Sequence, residues 1–401
     1  MQQEDKKMRY FNQNQISLAT PSLTFTKRSL YSLVGMFSLI ISHQANAHPE
    51  HVNILKEWCS EAGRTAPTFS SDVCSTCHNT SNYKFSTANK EAFSTKNLDP
   101  FCPSANPTVS VYEWRDPKVP PVSSSRVHNI ELVAQEKQIA IAAGVSQQLW
   151  TFNGTAPGPV IRVHLGDTIR VHLVNPATNK LSHSVDFHAS EMAWNMGGMT
   201  SIKPGEEKFF EWKANYAGVW MYHCGTPPTL HHIASGMYGM VIVEPKGGLA
   251  PVDHEFALVQ SEFYTGSEGG ITSLARAAKG NASPNYVVFN GVAFQYKDHP
   301  IEVATGKKVR FFVLNAGPSQ DSAFHIVGTI FNRVIKEGVQ LSPSNTGGYG
   351  SQAVDLAPAQ GAIIELTTAE DGLYPIVTHA FNYVGLGAMG LLKSGDGDPS
   401  H

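Results

Sequence analysis

The chain carries the same order of short apolar runs, turns and histidines twice, and this repeat is the strongest constraint on its fold. A Phe-Asn-Gly tripeptide at 152–154 recurs at 289–291. Each copy continues with alternating apolar residues, a histidine segment and a strand-like run that ends on a histidine, His223 in one and His379 in the other. Period-two alternation between turn signals is typical of β-strands. Because the repeats are far longer than those of solenoids, the pattern predicts an all-β chain with two β-sandwich domains in tandem.

One turn in the first copy carries a more local prediction. Residues 161–165 and 169–173 alternate between apolar and polar on either side of Gly166-Asp167. Alternation across a Gly-Asp turn is typical of a β-hairpin. His164 and His172 occupy the polar positions of this pattern, so we expect them to face solvent and not a metal.

The charge balance excludes several classes of partner. The chain has 30 Lys and Arg against 33 Asp and Glu, a formal charge of −3. A binder of nucleic acid or of an anionic membrane surface usually carries a basic patch. We therefore expect neither nucleic acid nor a membrane surface as a partner.

The N-terminus has the organisation of a secretory signal peptide. Lys27 and Arg28 precede an apolar run at 30–41, which is followed by Ala-Asn-Ala at 45–47. A basic region, a short apolar region and a small-x-small site predict cleavage near His48 and export to the periplasm. A single membrane anchor is the alternative, but the run is shorter than the ~20 residues that span a bilayer, so we expect no stable membrane span.

The composition along the chain predicts domain limits. We expect a signal peptide, a Cys-rich segment with a Pro- and Ser-containing linker, two β domains and a short tail. These are residues 1–47, 48–124, 125–246, 247–394 and 395–401.

Five cysteines leave one unpaired after any complete disulfide pairing, and the first repeat contains Cys224 alone. Cys224 is followed by His232 and Met237, and His183 lies one strand upstream. A thiolate, two imidazoles and a weak thioether form the ligand set of electron-transfer copper sites. The sequence therefore predicts a copper site on these four residues, with His232 chosen over the adjacent His231.

The remaining histidines form a second candidate set. Successive side chains of a strand face opposite sides, so His223 faces away from Cys224, and His188 faces away from His183. His379, at the equivalent strand end of the second repeat, is the third imidazole. Three imidazoles with an open coordination position are typical of a catalytic metal site.

The order of these residues resembles that of the copper-containing nitrite reductases over about residues 125 to 394. The resemblance implies two tandem cupredoxin-like Greek-key β-sandwich domains and a homotrimer with active sites between subunits. It implies type 1 copper on His183, Cys224, His232 and Met237, and type 2 copper on His188, His223 and His379. It also implies that Asp186 and His325 handle protons.

The reaction implied by the resemblance is the one-electron reduction of nitrite to nitric oxide and water. A small cytochrome c or cupredoxin would donate the electron, which would pass through the linked Cys224 and His223. Two alternatives stay open. A multicopper oxidase needs His-x-His pairs and a His-Cys-His triplet, but Gly225 follows Cys224. A type 1 copper electron-transfer protein would not need His379.

The Cys-rich segment contains a second motif, Cys74-Ser-Thr-Cys77-His78, flanked by Cys59 and Cys102. C-x-x-C-H is the attachment signature of haem c, with thioethers from Cys74 and Cys77 and an axial bond from His78. The segment is short for a cytochrome and lacks a Met for the sixth ligand. A module with two disulfides is the main alternative, and a four-Cys zinc site is another.

Overall fold

The protein is described by a computed structural model that covers residues 112–396, except 268, 342–347 and 349. The predicted signal peptide at 1–47 and the Cys74-x-x-Cys77-His78 motif lie outside the described residues. Within the described part of the chain, no helix is long and apolar enough to cross a membrane.

The first half of the described chain forms a sandwich of two four-stranded sheets. Its strands are β1 (Val127–Ala142), β2 (Val145–Phe152), β3 (Ile161–His164), β4 (Thr168–Asn175), β5 (Asp186–Phe187), β6 (Glu206–Lys213), β7 (Gly218–His223) and β8 (Tyr238–Glu244). The orders are β2-β1-β4-β6 in one sheet and β3-β8-β7-β5 in the other. A 3₁₀ helix (Gly197–Met199) precedes β6, and helix α1 (Thr229–Ala234) joins β7 to β8.

The second half repeats this arrangement with a six-stranded and a five-stranded sheet. Its strands are β9 (His254–Phe263), β10 (Tyr286–Phe289), β11 (Ile301–Val303), β12 (Lys308–Gly317), β13 (Ser322–Ile326), β14 (Arg333–Lys336), β15 (Val339–Gln340), β16 (Val354–Leu356), β17 (Gly361–Thr367), β18 (Gly372–Thr378) and β19 (Met389–Ser394). The short helices are α2 (Leu274–Ala277), α3 (Gln295–Asp298) and a 3₁₀ helix (Phe381–Leu386). The orders are β10-β9-β12-β17-β14-β15 and β11-β19-β18-β13-β16.

The predicted all-β fold with two tandem sandwiches is confirmed. The duplication is also visible in the strand pairing, because β3 pairs with β8 in parallel as β11 pairs with β19. The limits predicted for the individual domains, 125–246 and 247–394, stay predictions.

The predicted hairpin at Gly166-Asp167 is wrong. The turn is present, and the Asp167 N–H bonds to the His164 carbonyl at 3.0 Å. However, β3 and β4 belong to different sheets. Both strands bury their apolar residues in the same core, so the turn is an arch across the sandwich and not a hairpin. Alternation alone does not distinguish these arrangements, because both bury one face of each strand.

Strand β7 has two buried faces, and they belong to different cores. Tyr222 of β7 and Cys224, the residue directly after the strand, are in the core of the first sandwich. Val219 and Met221 pack against β9, β12 and β17 of the second sandwich. The alternation of a strand therefore places Cys224 inside the first domain and His223 on the face directed outward from that core.

A buried network of ion pairs also connects the two sandwiches. Glu255 of β9 contacts Arg162 of β3 at 2.7 Å and Arg310 of β12 at 2.6 Å. Glu244 binds the same Arg162 at 2.5 Å, and Glu365 binds Arg310 at 2.6 Å. Both guanidinium groups are almost fully buried, so each depends on its carboxylate partners to offset the cost of desolvation.

The Glu255→Gln substitution should destabilise the protein by about 1.5–3 kcal/mol, the contribution typical of hydrogen bonds to charged groups. The amide side chain keeps a hydrogen-bonding oxygen but removes the charge between Arg162 and Arg310. The measurement is the free energy of unfolding in urea at neutral pH. Glu302→Gln is the control, because Glu302 is 74% exposed and its loss should change stability by less than about 0.5 kcal/mol.

The effect of Glu255→Gln should also depend on pH. Desolvation raises the pKa of the Glu255 carboxyl, but the hydrogen bonds and charges of Arg162 and Arg310 outweigh it, so the folded pKa is below the ordinary value. The carboxylate's contribution is therefore complete above the unfolded pKa of about 4.3 and is lost as pH falls through the lower folded value. A stability difference that stays constant down to the acid transition would contradict this role.

Candidate metal centres

Three donor atoms meet inside the first sandwich, on the core side of β7. Cys224 Sγ lies 3.2 Å from His232 Nδ1 and 4.0 Å from His183 Nδ1. The donor atoms of the three residues all lie within 4.8 Å of one another, and all three residues are buried. Met237 is fully buried in the same core cluster as Cys224. We call His183, Cys224, His232 and Met237 site 1.

A single loop between β7 and β8 supplies three members of site 1. Helix α1 begins after Pro228 and carries His232 on its buried face. The helix ends before Gly236, where φ is +106°. A Cβ at Gly236 would lie 3.2 Å from the Trp150 carbonyl oxygen, so this turn brings the loop tightly against β2. The Met237 N–H then bonds to the His232 carbonyl, and Met237 O accepts the Cys224 N–H.

The sulfur of Cys224 is held by polar groups but lies in an apolar core. The Ser184 N–H donates to Sγ at 3.3 Å. Burial raises the pKa of the Cys224 thiol more than the hydrogen bonds of Ser184 and Thr226 lower it. A thiolate at this position therefore needs a nearby cation, and a metal ion supplies one.

The two imidazoles of site 1 are neutral. Burial and the neighbouring His183 and His231 lower the pKa of His232 to about 3. Burial also lowers the pKa of His183, although the Glu136 carboxylate opposes the shift. Neutral imidazoles and a thiol converging in a closed core are the donors that a copper ion takes.

A second group lies on the other face of β7. His188 Nε2 and His223 Nε2 are 3.0 Å apart. Asp186 Oδ2 lies 3.9 Å from the first and 3.7 Å from the second. We call His188 and His223 site 2, with Asp186 beside them. Burial and the adjacent His223 lower the pKa of His188, and Asp186 opposes the shift.

The proton positions in site 2 suit a metal. His223 Nδ1 lies 2.9 Å from the Cys224 carbonyl oxygen, which can only accept. The ring therefore carries its proton on Nδ1 and a lone pair on Nε2. That lone pair faces His188 Nε2, so a cation between the two rings fits the donor set.

His325 and His379 form a separate pair in the second sandwich, with ring centroids 5.2 Å apart. His325 Nδ1 bonds to the Gln352 carbonyl. Within the described residues, only two groups of three or more His, Cys, Asp or Glu have all their donor atoms within 4.8 Å, and His379 belongs to neither. The structure of one chain therefore does not bring His379 into site 2.

The segment that carries His183 and His188 differs from the expected strand 182–188. Only Asp186–Phe187 pairs regularly, with β7. His183 instead bridges to Ile202, and the Val185 N–H bonds to Gly198 O. The segment therefore changes its pairing partner between His183 and Asp186. As a result, His183 lies beside Cys224 and His188 lies beside His223.

Three residues near site 1 were not predicted from the sequence as part of it. The Trp150 ring is 4.7 Å from that of His232, and Glu136 lies behind His183. His231 Nε2 contacts the Thr272 carbonyl at 2.9 Å, so it holds α1 to the second sandwich and lies outside the donor group. Glu136 and Trp150 are directly opposite each other in the pairing of β1 with β2. A correct prediction of this pairing would have placed both residues on the same side of site 1.

Comparisons with known proteins agree on a copper protein. A family model described as multicopper oxidase matches residues 133–248. A copper-containing nitrite reductase from Neisseria meningitidis serogroup B is 37% identical over 297 residues, covering 72% of this chain and 74% of that protein.

Solved structures give the same result. Copper nitrite reductase from Nitrosomonas europaea superposes with a TM-score of 0.61 and 34% identity, covering 68% of this chain and 96% of that one. A structure described as multicopper oxidase superposes with a TM-score of 0.59 and 29% identity, covering 67% of this chain and 89% of that one. The sandwiches described above are therefore cupredoxin-like, as expected, and the chain belongs to the copper-containing nitrite reductase family of oxidoreductases.

Proposed function

We propose that the protein reduces nitrite to nitric oxide and water with one electron and two protons. Site 1 would hold type 1 copper on His183, Cys224, His232 and Met237, and site 2 would hold type 2 copper on His188, His223 and a His379. The observation that carries the proposal is that the two donor groups meet at consecutive residues whose side chains face opposite sides, His223 at the end of β7 and Cys224 directly after it.

The bound ions would supply a one-electron redox couple in site 1 and a Lewis acid for nitrite in site 2. The protein contributes the connection between them. His223 and Cys224 share a peptide bond, and the hydrogen bond from His223 Nδ1 to Cys224 O adds a second link of 2.9 Å. An electron therefore has a short covalent path from the thiolate to the imidazole.

Asp186 and His325 are proposed to deliver the protons. The Asp186 carboxylate is half-buried and lies within 4 Å of both imidazoles of site 2. The hydrogen bond from His325 Nδ1 to Gln352 O leaves its Nε2 available for proton transfer. A carboxyl and an imidazole at the open side of a site can act as general acids near neutral pH.

The missing third imidazole of site 2 supports a site shared between subunits, which is the arrangement of the homotrimer that the family resemblance implies. Site 2 in one chain has two imidazoles and His188 is partly exposed, with 32% of its side chain accessible, while His379 is exposed in the second sandwich. Apolar side chains follow the second pair of histidines, with Val327 after His325 and Phe381, 56% exposed, after His379. Exposed apolar groups around unused ligands are typical of an interface. We propose that His379 of one subunit completes site 2 of the next.

The other proposals concern the protein's surroundings. Export to the periplasm would follow from the predicted signal peptide at 1–47, and a small cytochrome c or cupredoxin would be the electron donor. None of the described residues bears on the choice between haem c and disulfides at Cys74 and Cys77, which stays a prediction.

A multicopper oxidase is the second candidate, favoured by the family model that matches residues 133–248. Gly225 after Cys224 opposes it, because the His-Cys-His triplet of a trinuclear cluster is missing. A type 1 electron-transfer protein remains the simplest alternative, and it makes His379 dispensable.

The His379→Ala variant decides between enzyme and electron carrier. Nitrite reduction with an artificial donor should fall by about a hundredfold or more, because site 2 loses a ligand, and even the loss of a partner behind a ligand costs about 10- to 100-fold. The visible thiolate-to-copper band should stay unchanged. His164→Ala is the matched control and should keep both. If the unchanged protein has the visible band but no nitrite reduction, the electron carrier is supported. Full nitrite reduction by His379→Ala would instead remove His379 from the catalytic site.

Mixing two inactive chains tests the shared site. His188→Ala and His379→Ala damage the same site, but from different subunits if the proposal holds. When the two are co-expressed in equal amounts, about a quarter of the interfaces combine two undamaged halves, because each half is intact with a probability of one in two. Nitrite reduction should recover to about that fraction. No recovery in verified mixed oligomers would place all ligands in one chain.

The Asp186→Asn variant tests the proton step. The amide keeps the size of the side chain but cannot release a proton, so kcat should fall by about 10²–10⁴. The copper content and the visible band should not change. Asp355→Asn, whose side chain is 89% exposed, is the control and should have the kcat of the unchanged protein. An unchanged kcat in Asp186→Asn would remove Asp186 from the proton path.

A further inference from the structure

One nitrogen of His183 has no hydrogen-bond partner among the described residues, although the residue is fully buried. The Nδ1 atom faces the Cys224 sulfur, and Nε2 is the atom left without a partner. A buried polar group without a partner costs about 1–3 kcal/mol. When Nδ1 holds a metal, the ring proton must be on Nε2, so this atom then becomes a donor that needs an acceptor.

The Glu136 carboxylate lies directly behind this nitrogen. Its Oε1 atom is 3.6 Å from His183 Nε2, slightly beyond hydrogen-bond distance, and its side chain is only 10% exposed. Two backbone N–H groups fix its position, Lys180 at 2.8 Å and Leu181 at 2.9 Å. These two hydrogen bonds hold the carboxylate near His183. The negatively charged oxygen can still accept a hydrogen bond from a third donor.

The strand pairing gives Glu136 a second connection to site 1. Glu136 on β1 is directly opposite Trp150 on β2. The buried Trp150 ring lies 6.2 Å from the His183 ring and 4.7 Å from the His232 ring, in both cases at a steep angle. The β1–β2 pair therefore provides an acceptor behind one imidazole and an aromatic wall beside both.

We propose that Glu136 is a positioning residue of site 1, which accepts the Nε2–H of His183 and stabilises the oxidised form of the bound metal with its charge. The proposal rests on the proposed function, because it assumes copper in site 1. A carboxylate behind a ligand histidine fixes the orientation of the ring and makes its other nitrogen a better donor. A negative charge near the metal favours the more positive oxidation state.

The Glu136→Gln substitution tests this role, because Gln can still accept from Lys180 and Leu181 but carries no charge. Copper in site 1 should bind about 10- to 100-fold more weakly, as measured by the loss of the visible band to a competing chelator. The midpoint potential should rise by about 60 mV, which corresponds to a tenfold change in a one-electron equilibrium. Glu131→Gln, on the same strand but beside His172, is the control and should match the unchanged protein.

The possible results are distinguishable. If the unchanged protein has no thiolate-to-copper band, the proposed function fails. If that band is present and Glu136→Gln keeps the same potential and chelator resistance, the role of Glu136 is wrong. A lower melting temperature with both readouts unchanged also overturns it, because it would leave Glu136 only an anchor for residues 180–181.

A second variant covers the case in which Glu136→Gln does not fold. Glu136→Asp keeps the charge but withdraws the carboxylate by one methylene. Copper should then be lost to the chelator faster than from the unchanged protein, with a smaller rise in potential than the one expected for Gln. An Asp variant identical to the unchanged protein in both measurements would contradict the proposal.

Discussion

The two donor groups of this protein depend on one property of β7, the opposite orientation of consecutive side chains. Tyr222 and Cys224 face the core of the first sandwich, and Met221 faces the second sandwich. A shift of β7 by one residue would exchange the two faces and would move apolar groups out of both cores. The packing on both sides therefore fixes the register, and the register assigns Cys224 to site 1 and His223 to site 2.

The second sandwich stabilises this arrangement, and none of its described residues supplies a donor to site 1. Glu255 ties β9 to the buried Arg162 of the first sandwich. Thr272 holds α1 through His231, next to the ligand candidate His232. The duplicated domain has its own histidine at the end of β18, but Ala380 stands where the first copy has Cys224. The two copies thus share a fold and differ in which donors they retain.

Much of the fold and of the donor set could be predicted from the sequence, because both follow from spacing along strands. The repeat predicted the two sandwiches, and the alternation of His223 and Cys224 predicted two faces. The features that were predicted wrongly or missed depend on which strands pair with each other. Gly166-Asp167 has the composition of a hairpin turn but connects two sheets, because both flanking strands bury apolar faces in one core. Glu136 is distant in sequence from His183, and only the strand pairing brings them together. No pattern within one chain could show whether His379 serves its own subunit.

The placement of the sites on opposite faces of one strand has a kinetic consequence for the proposed enzyme. The core side of β7 around Cys224 is closed by buried side chains, whereas His188 and Asp186 on the other side are partly open to solvent. In the proposed enzyme, nitrite would therefore reach site 2 directly, while the electron would enter through the protein around site 1. Bound nitrite would then not block the approach of an electron donor, because the two would use different surfaces.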